Sequence, residues 1–342
     1  MILFDRIRRA IDDPSLVSEF AKWKLSETMV LARQGRVGAL ASYAVAGITG
    51  WHPYDYYLRH LVRTTEGQPV CSIDGLEMAL DLTDDGISRE LFLYRTREQT
   101  TVECFERELR ALRTAVDGPI RVLEIGANIG YFALIEARAL GERAEIHAFE
   151  PDARNLPLLR ENIARNGYTE RIRVDSAAIG PTSGRALLQR STHSNRNRLA
   201  SDGGVGYAEA LSLTGETRPV DVWSVDDYLE TSGISPGSVN VVRMDVEGYE
   251  TEIVRGMESV LAASGPLVLF VEIHPHLLSD AEYRRFVTTL DAAGFEVVDV
   301  ISERITARPF DGSLDVERLL DLCDVEQSGY KLVAKRSAVH SN

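Results

Sequence analysis

The sequence predicts an α/β protein: a mainly parallel sheet with helices on both faces, behind a helical and hairpin N-terminal extension. Three observations predict it. The first is Val122-Leu-Glu-Ile-Gly-Ala-Asn-Ile-Gly130, an apolar run that ends in small residues and reads as a buried strand entering a turn. The second is Glu150, twenty residues after Gly130, closing another apolar strand beyond the helix-periodic stretch Tyr131 to Leu140. The third is the alternation of strand and helix patterns from residue 120 onward, the rhythm of parallel strands joined by crossover helices.

Taken in order, residues 1–65 read as short helices. Phe4, Ile7, Ile11 and Val17 show loose helical spacing, punctuated by Pro14, Gly35 and Gly50. Val70 to Ile73 and Leu76 to Leu82, joined by Asp74-Gly75, read as a hairpin. Thr101 to Val116 is a helix with Phe105, Leu109 and Leu112 on one face, stopped by Asp117-Gly-Pro. Strands are expected at 120–125, 144–149, 171–178, 239–245, 267–273, 295–300 and 329–334. Helices are expected near 130–140, 153–166, 248–262 and 279–293. The interval 181–222 breaks the rhythm: strand-like ends, Ala186 to Gln189 and Arg218 to Val222, surround the polar, glycine-rich Ser191 to Gly206. A loop that long suggests a lid or a substrate loop. The expected organisation is an extension over 1–65, a hairpin and helix over 66–117, and a nucleoside-binding domain over 118–338.

Strand, glycine turn, helix, strand and carboxylate is how an α/β protein builds a site for a nucleoside. Glycines admit the ligand to the backbone, the helix N-terminus faces it, and Glu150 is placed to grip ribose hydroxyls. The turn separates two cofactors. A dinucleotide site wants Gly-x-Gly-x-x-Gly, whose bare amides cradle a pyrophosphate. Here Glu124 precedes Gly126, and Asn128 stands inside the loop before Gly130. Negative charge repels a pyrophosphate and favours a ligand carrying a sulfonium and an ammonium, which points to S-adenosylmethionine.

A second constellation ends the fourth sheet strand, Asp245-Val-Glu247-Gly248-Tyr-Glu250, and the next strand finishes in Glu272-Ile-His274-Pro-His276. Strand ends of an open α/β sheet face one crevice, so Asp245 and Glu247 point toward Gly126 and Glu150. Alternation puts Glu272 and His274 on one side of their strand. Three readings stay open. His274, oriented by carboxylates, is a candidate base for a hydroxyl proton. The acids suit Mg2+, although no metal site is predicted. Or Glu247 and Glu250 face the dipole of the helix after Gly248. His193, in the long loop, is a reserve base whose plainer reading is a solvated side chain.

Composition narrows the partners. The chain of 342 residues carries a net charge of -14, which opposes general affinity for nucleic acid backbones. Lysine occurs only at 22, 24, 331 and 335, a bias of habitat or codon usage rather than of function. Cys71, Cys104 and Cys323 are far apart and lack histidines at ligand spacing, so reduced buried thiols in a cytoplasmic protein are expected. No signal peptide pattern opens the chain. Val37 to Trp51 is too short and too rich in Gly and Ala to span a bilayer. Behind Arg33 and Arg36 it is a candidate for resting on the inner membrane face, with a packed helix as the plainer reading.

Together these motifs resemble the FkbM family of class I S-adenosylmethionine-dependent methyltransferases. The resemblance is carried by Glu124-Ile-Gly-Ala-Asn-Ile-Gly-Tyr131, Phe149-Glu-Pro-Asp152 with Asn162 and Asn166, Met244-Asp-Val-Glu-Gly-Tyr-Glu250 and Val271-Glu-Ile-His274. It covers about residues 70–335, including Asp85 to Tyr94 and Arg97-Glu98. It implies a Rossmann-like, seven-stranded sheet whose last strand is antiparallel, and methyl transfer mostly to oxygen of sugars, polyketides or related small molecules. It also implies cofactor contacts from Glu124, Gly126, Ala127, Asn128, Gly130 and Tyr131 at the methionine end. Glu150 and Pro151 would sit at the ribose, Asp175, Ser176 and Ala178 beside the adenine, and Asp245 at the border with the acceptor. Asp245, Glu247, Glu272 and His274 are then the candidate catalytic set. The chain lacks the Asn/Asp-Pro-Pro-Tyr/Phe motif of enzymes that methylate planar amines. The function expected is therefore O-methylation of a hydroxyl or carboxylate of a sugar in a glycan, glycolipid or related molecule. An NAD(P)-dependent oxidoreductase and a non-catalytic nucleoside-binding protein are the alternatives, and the oligomeric state stays open.

Overall fold

In a computed structural model of the chain, the described residues are 68–83, 86–191, 193, 196–199, 213–274, 277–301, 308–309, 319 and 329–337. The helices expected over 1–65, the segment Val37 to Trp51 and most of Ser191 to Gly206 lie outside them.

A hairpin comes first, β1 (Val70–Ile73) with β2 (Leu76–Ala79), turned at Asp74-Gly75, where both residues have positive φ. After it come α1 (Ile87–Tyr94) and α2 (Gln99–Ala115), the latter burying Phe105, Leu109 and Leu112 as their spacing predicts. Crossover units follow: β3 (Ile120–Ile125), α3 (Tyr131–Leu140), β4 (Ala144–Phe149), α4 (Asn155–Arg165) and β5 (Ile172–Asp175). A second sheet intervenes, made of β6 (Ala178–Ile179), β7 (Gly184–Ser191), β8 (Arg198–Leu199) and β9 (Leu213–Trp223). The chain then returns through α5 (Val225–Ser232), β10 (Val239–Met244), α6 (Glu250–Arg255), α7 (Glu258–Ala262) and β11 (Leu267–Ile273). It finishes with α8 (Asp280–Ala292), β12 (Glu296–Ile301), the short edge strand β13 (Arg308–Pro309) and β14 (Tyr330–Arg336).

The main sheet runs in the order β13-β12-β14-β11-β10-β3-β4-β5. β5, β4, β3, β10 and β11 are parallel neighbours, and β14 is antiparallel to both β11 and β12. Apart from the two-residue β13, this is the expected seven-stranded sheet with its last strand reversed. Its strands read as near-continuous apolar runs because both faces are covered. On one face Val122, Val241 and Phe270 pack with Phe105 of α2, Phe132 of α3 and Leu159 of α4. On the other, Leu123, Val242 and Leu269 pack with Leu229 of α5, Ile253 of α6 and Phe286 of α8. No described helix is long and apolar enough to cross a membrane. Cys71 and Cys104 are buried free thiols, as expected; Cys323 lies outside the described residues.

Three expectations shift. The strand expected over 171–178 ends at Asp175, and Ala178-Ile179 leave the main sheet to pair in parallel with β9. The helix expected over 248–262 is two helices, because α6 stops at Gly256, where a Cβ would run into the Gly180 carbonyl. The ends of the interval 181–222 do form strands, but they pair with each other: β7 and β9 run antiparallel from Gly184↔Val222 to Ser191↔Leu213. The structure also adds α1 and α5, for which no helix was expected.

Two asparagines, Asn162 of α4 and its C-cap Asn166, fasten the hairpin to the core. Asn162 accepts the Ala79 N–H at 2.7 Å and donates Nδ2 to the Ile129 carbonyl at 2.9 Å and the Ala79 carbonyl at 3.3 Å. One turn later, Asn166 accepts the Glu77 N–H at 3.0 Å and donates to the Glu77 carbonyl at 2.8 Å. The two amides mimic a neighbouring strand along the edge of β2, and Asn162 ties that edge to the glycine turn. Asn162 is 0 % exposed, so nothing replaces its bonds. Asn162→Ala is therefore expected to cost about 3 kcal/mol in denaturant unfolding, since it orphans buried backbone groups. A loss below about 1 kcal/mol contradicts this role.

Candidate active site

From β3 the chain winds to one side through β4 and β5, and from β10 to the other through β11. The carboxyl ends of β3 and β10 therefore flank the switch point where open α/β sheets form a crevice. A cleft lies there with about 880 Å³ of space, counted out to its open mouth.

The glycine turn forms one wall. Gly126 and Ala127 both donate their N–H to the Phe149 carbonyl, at 3.0 and 2.9 Å, tethering the turn to the end of β4. Asn128, at φ 50°, gives its N–H to Glu150 Oε2 at 2.8 Å and takes the Ile129 N–H on its own Oδ1 at 2.8 Å. The Gly130 N–H returns to the Ala127 carbonyl at 2.8 Å. Gly126 has φ 83°, and a Cβ there would run into the Asp245 carbonyl, so the turn is pressed against the end of β10. Glu150 is aimed by the Asn128 amide and, on Oε1, by the Asp152 N–H at 2.8 Å and Asn155 Nδ2 at 3.3 Å. Burial outweighs these donors and lifts its carboxyl to about 7.

Of the residues expected to touch a cofactor, Glu124, Gly126, Ala127, Asn128, Tyr131, Glu150, Pro151, Ala178 and Asp245 line the cleft. Gly130, Asp175 and Ser176 are not among its lining residues. Gly130, at φ 93°, lets α3 pack on α4, since a Cβ would stand 2.8 Å from Leu159 Cδ1. The Asp175 carbonyl accepts the Glu150 N–H at 3.1 Å, and Ser176 is exposed where the chain leaves β5. The wall at that end is Ala177, Ala178 and Ile179, facing Leu188 and Leu199 of the second sheet. Ile87, Arg97, Arg243 and Tyr249 also line the cleft and were not expected there. Only Arg243, a charge within an apolar strand, left a readable signal.

Glu124 presents no unpaired charge to a ligand. Its Oε1 takes Arg243 Nη1 at 2.7 Å, and the two side chains are 1 % and 4 % exposed. The guanidinium lies 3.7 Å over the Phe132 ring and reaches Asp245 Oδ2 at 3.5 Å. Glu136 of α3 shares this pocket; burial and the Glu124 charge push its carboxyl well above its ordinary value. Tyr131 is bound to the N-terminal segment: its hydroxyl donates to Asp74 Oδ2 at 2.6 Å and accepts the Arg97 N–H at 3.3 Å.

Beyond Asp245, the structure does bring the four expected acidic and imidazole groups together. His274 Nε2 stands 3.4 Å from Glu247 Oε2 and 3.9 Å from Glu272 Oε1, while Nδ1 lies 3.1 Å from Glu250 Oε1. One ligand-type atom each from Asp245, Glu247 and His274 lies within 4.8 Å of the other two. Burial opposes charge on the imidazole, yet Glu247, Glu250 and Glu272 overcome it and lift His274 to about 10. At neutral pH the ring carries its proton here, unlike the neutral base that proton abstraction needs. Burial, then Glu272, pushes Asp245 well above the usual carboxylate range. Glu272 falls below that range: burial opposes its charge, but Lys331, His274 and Arg97 prevail. Lys331 Nζ bridges Glu98 at 3.0 Å and Glu272 at 3.2 Å. His193 is half-buried after β7 and is not among the cleft-lining residues.

A model of the Methyltransferase FkbM domain matches residues 124–297, just over half of the chain. The chain belongs to the FkbM methyltransferase family. Two characterised relatives are 29% identical to it: the 2-O-methyltransferase NoeI of Sinorhizobium fredii and the hexuronic acid methyltransferase AglP of Haloferax volcanii. The matches cover 41% and 49% of this chain and span only 58% and 65% of those two proteins. The crystal structure of Methyltransferase FkbM from Methylobacillus flagellatus KT overlies 44% of this chain and 32% of its own, at 19% identity and a TM-score of 0.30. A likeness that loose speaks to neither ligand nor reaction.

The FkbM match spans the glycine turn, Glu150 and the acidic cluster, whereas Arg97, Glu98 and Lys331, which pair around that cluster, lie outside it. Arg243 is the buried counter-charge of the whole floor. Arg243→Leu leaves Glu124 uncompensated and is expected to lower unfolding free energy by about 3–5 kcal/mol, with the double variant Arg243→Leu/Glu124→Leu recovering most of it. A single variant as stable as the parent contradicts the pairing.

Proposed function

We propose that this FkbM-family chain is an S-adenosylmethionine-dependent O-methyltransferase acting on a hydroxyl, or a carboxylate, of a sugar in a glycan, glycolipid or related small molecule. The observation that carries this reading is the state of the turn. Every amide from Gly126 to Gly130 is already bonded within the protein, so the turn has no nest of free N–H groups for a pyrophosphate. What it offers a ligand is carbonyl oxygen and a surface without side chains, which suits a sulfonium and an ammonium. That disfavours the dinucleotide alternative.

In this reading Glu150, whose Oε2 accepts a single hydrogen bond, holds the ribose hydroxyls. Ala177, Ala178, Ile179, Leu188 and Leu199 take the base against apolar surface and exclude water from it. Gly126, Ala127 and Asn128 border the methionine end, with Asp245 at the acceptor side. When bound, the cofactor supplies a methyl carbon on a positively charged sulfur. The protein's task is to hold the acceptor oxygen in line with that carbon, in a site closed to water. Asp245, Glu247, Glu272 and His274 surround the acceptor, and the carboxylates, not the already protonated His274 ring, take the proton of its hydroxyl. The sugar class draws support from the names of the two relatives, one a 2-O-methyltransferase and the other a hexuronic acid methyltransferase. Residues 118–338 are the proposed cofactor-binding unit, with 66–117 closing over it.

Two outcomes test this. Glu150→Ala is expected to weaken S-adenosylmethionine binding at pH 8 by roughly 30-fold or more, about 2 kcal/mol, from lost charge-assisted hydrogen bonds. Because burial holds the free carboxyl at about 7, binding must expel a proton below that pH. Affinity then falls about tenfold per pH unit below 7 and is flat above it, a slope absent in Glu150→Ala. A pH-independent dissociation constant between 5 and 8 argues against Glu150 as the ribose ligand. For the acceptor, labelled methyl transfer to a panel of oligosaccharides and uronic acids is expected to give alkali-stable methyl ethers where a hydroxyl is methylated, or alkali-labile methyl esters where a carboxylate is. Cofactor binding with no transfer to any sugar sinks the acceptor class.

A further inference from the structure

We propose that Asp245, Glu247 and His274 form the binding site for one divalent metal ion at the acceptor end of the cleft. The inference rests on the methyltransferase reading for the ion's role, and on geometry alone for its existence.

The donors come from adjacent strand ends, Asp245 and Glu247 after β10 and His274 after β11. One atom from each lies within 4.8 Å of the others, the spread of ligands around a single cation bound at about 2.0–2.3 Å. The Nε2 to Glu247 separation of 3.4 Å is long for a hydrogen bond and suits two ligands sharing an ion. The imidazole is oriented as in metal sites. Glu250 is wholly buried, held by the Gly248 N–H at 3.2 Å, and its Oε1 meets Nδ1 at 3.1 Å, which turns Nε2 toward the two carboxylates.

A second observation points the same way. Glu247 is nine-tenths buried and aimed into this cluster, yet its carboxylate accepts no hydrogen bond from any described residue. Glu250 Oε2, also buried, has no hydrogen-bond partner among the described residues. Glu247 has only the His274 ring, at 3.4 Å, and the field of Arg196 to balance its charge, and an ion held between Glu247 and Nε2 would replace the ring's proton. Three of the nearby cations are engaged elsewhere: Lys331 with Glu98 and Glu272, Arg243 with Glu124, and Arg97 with Glu90 and Glu98; Arg196 acts on Glu247 through its charge without a hydrogen bond to it. Glu272 is thereby a neighbour of the site and not a ligand.

Two carboxylates and one imidazole suit an ion of the Mg2+ and Mn2+ class, with the nitrogen favouring Mn2+. Asp245 lines the cleft, so open coordination positions face the acceptor. A sugar hydroxyl oxygen held there would be more acidic and fixed in place.

The test is Mn2+ binding by the chelator-stripped full chain, without cofactor or acceptor. Loss of the free aqueous Mn2+ resonance is followed by electron paramagnetic resonance, and unfolding temperature is measured with and without the ion. The expected result is one Mn2+ per chain, at a dissociation constant of about 10⁻⁵ M or tighter. Glu247→Gln and Asp245→Asn should each weaken it by about tenfold or more, and Glu250→Gln by 10–100-fold through the imidazole. Wild-type protein that binds no Mn2+ at millimolar concentration overturns the proposal. So does binding that survives in both ligand variants when their cooperative unfolding shows them folded. S-adenosylmethionine affinity, measured separately in chelator, reports on the methyltransferase reading alone, so either idea can fail without the other.

Discussion

The buried pair Arg243–Glu124 is the constraint on which the site depends. The two residues are register partners on β3 and β10, the strands that flank the switch point. A guanidinium out of water is tolerable only when carboxylates and an aromatic face surround it, and Glu124, Asp245 and Phe132 do so here. The arrangement holds the two strand ends level. Gly126 can then lie against the Asp245 carbonyl, and Asp245 reaches the lip of the cleft. Replacing the pair by apolar residues would fill the space without aligning the ends. Charge in this core is better understood as registration than as stability.

From that floor the cleft grades from apolar to acidic. Ala177 to Ile179 and the second sheet make one end, and Asp245, beside the Glu247–His274 cluster, marks the other. The N-terminal segment completes it. Asp74 and the Arg97 amide meet the Tyr131 hydroxyl, Asn162 joins β2 to the glycine turn, and Glu98 reaches Lys331. Residues well before the family match thus roof and counter-charge a site whose core lies within it. This explains why the hairpin shares the apolar cluster of α2 and α3 and does not stand apart.

How much of this was legible depends on range. β3, β4 and β11 were read to the residue because fully buried parallel strands leave unbroken apolar runs. The convergence of Glu272 with His274 followed from strand alternation, and the placing of Glu150 at the same crevice as Gly126 from the second-strand acid. Contacts distant in sequence were not legible. Nothing local says that Gly256 meets the Gly180 carbonyl and splits a helix, or that Ala178 turns away to pair with Val222. Glu124 looked like a charge for the ligand because its partner lies 119 residues away. His274 was read as a candidate base oriented by carboxylates, but that Glu250, taken as a helix-end acid, holds its ring from the side was not legible.

The central claim is that this crevice takes a sulfonium nucleoside and not a dinucleotide. Calorimetric titration of the purified chain with S-adenosylmethionine, S-adenosylhomocysteine and NAD+, at pH 8, tests it most directly. The account predicts saturable binding of the first two at about micromolar dissociation constants and no heat from NAD+. Binding of NAD+ by the folded protein, with neither adenosyl ligand competing, would contradict it.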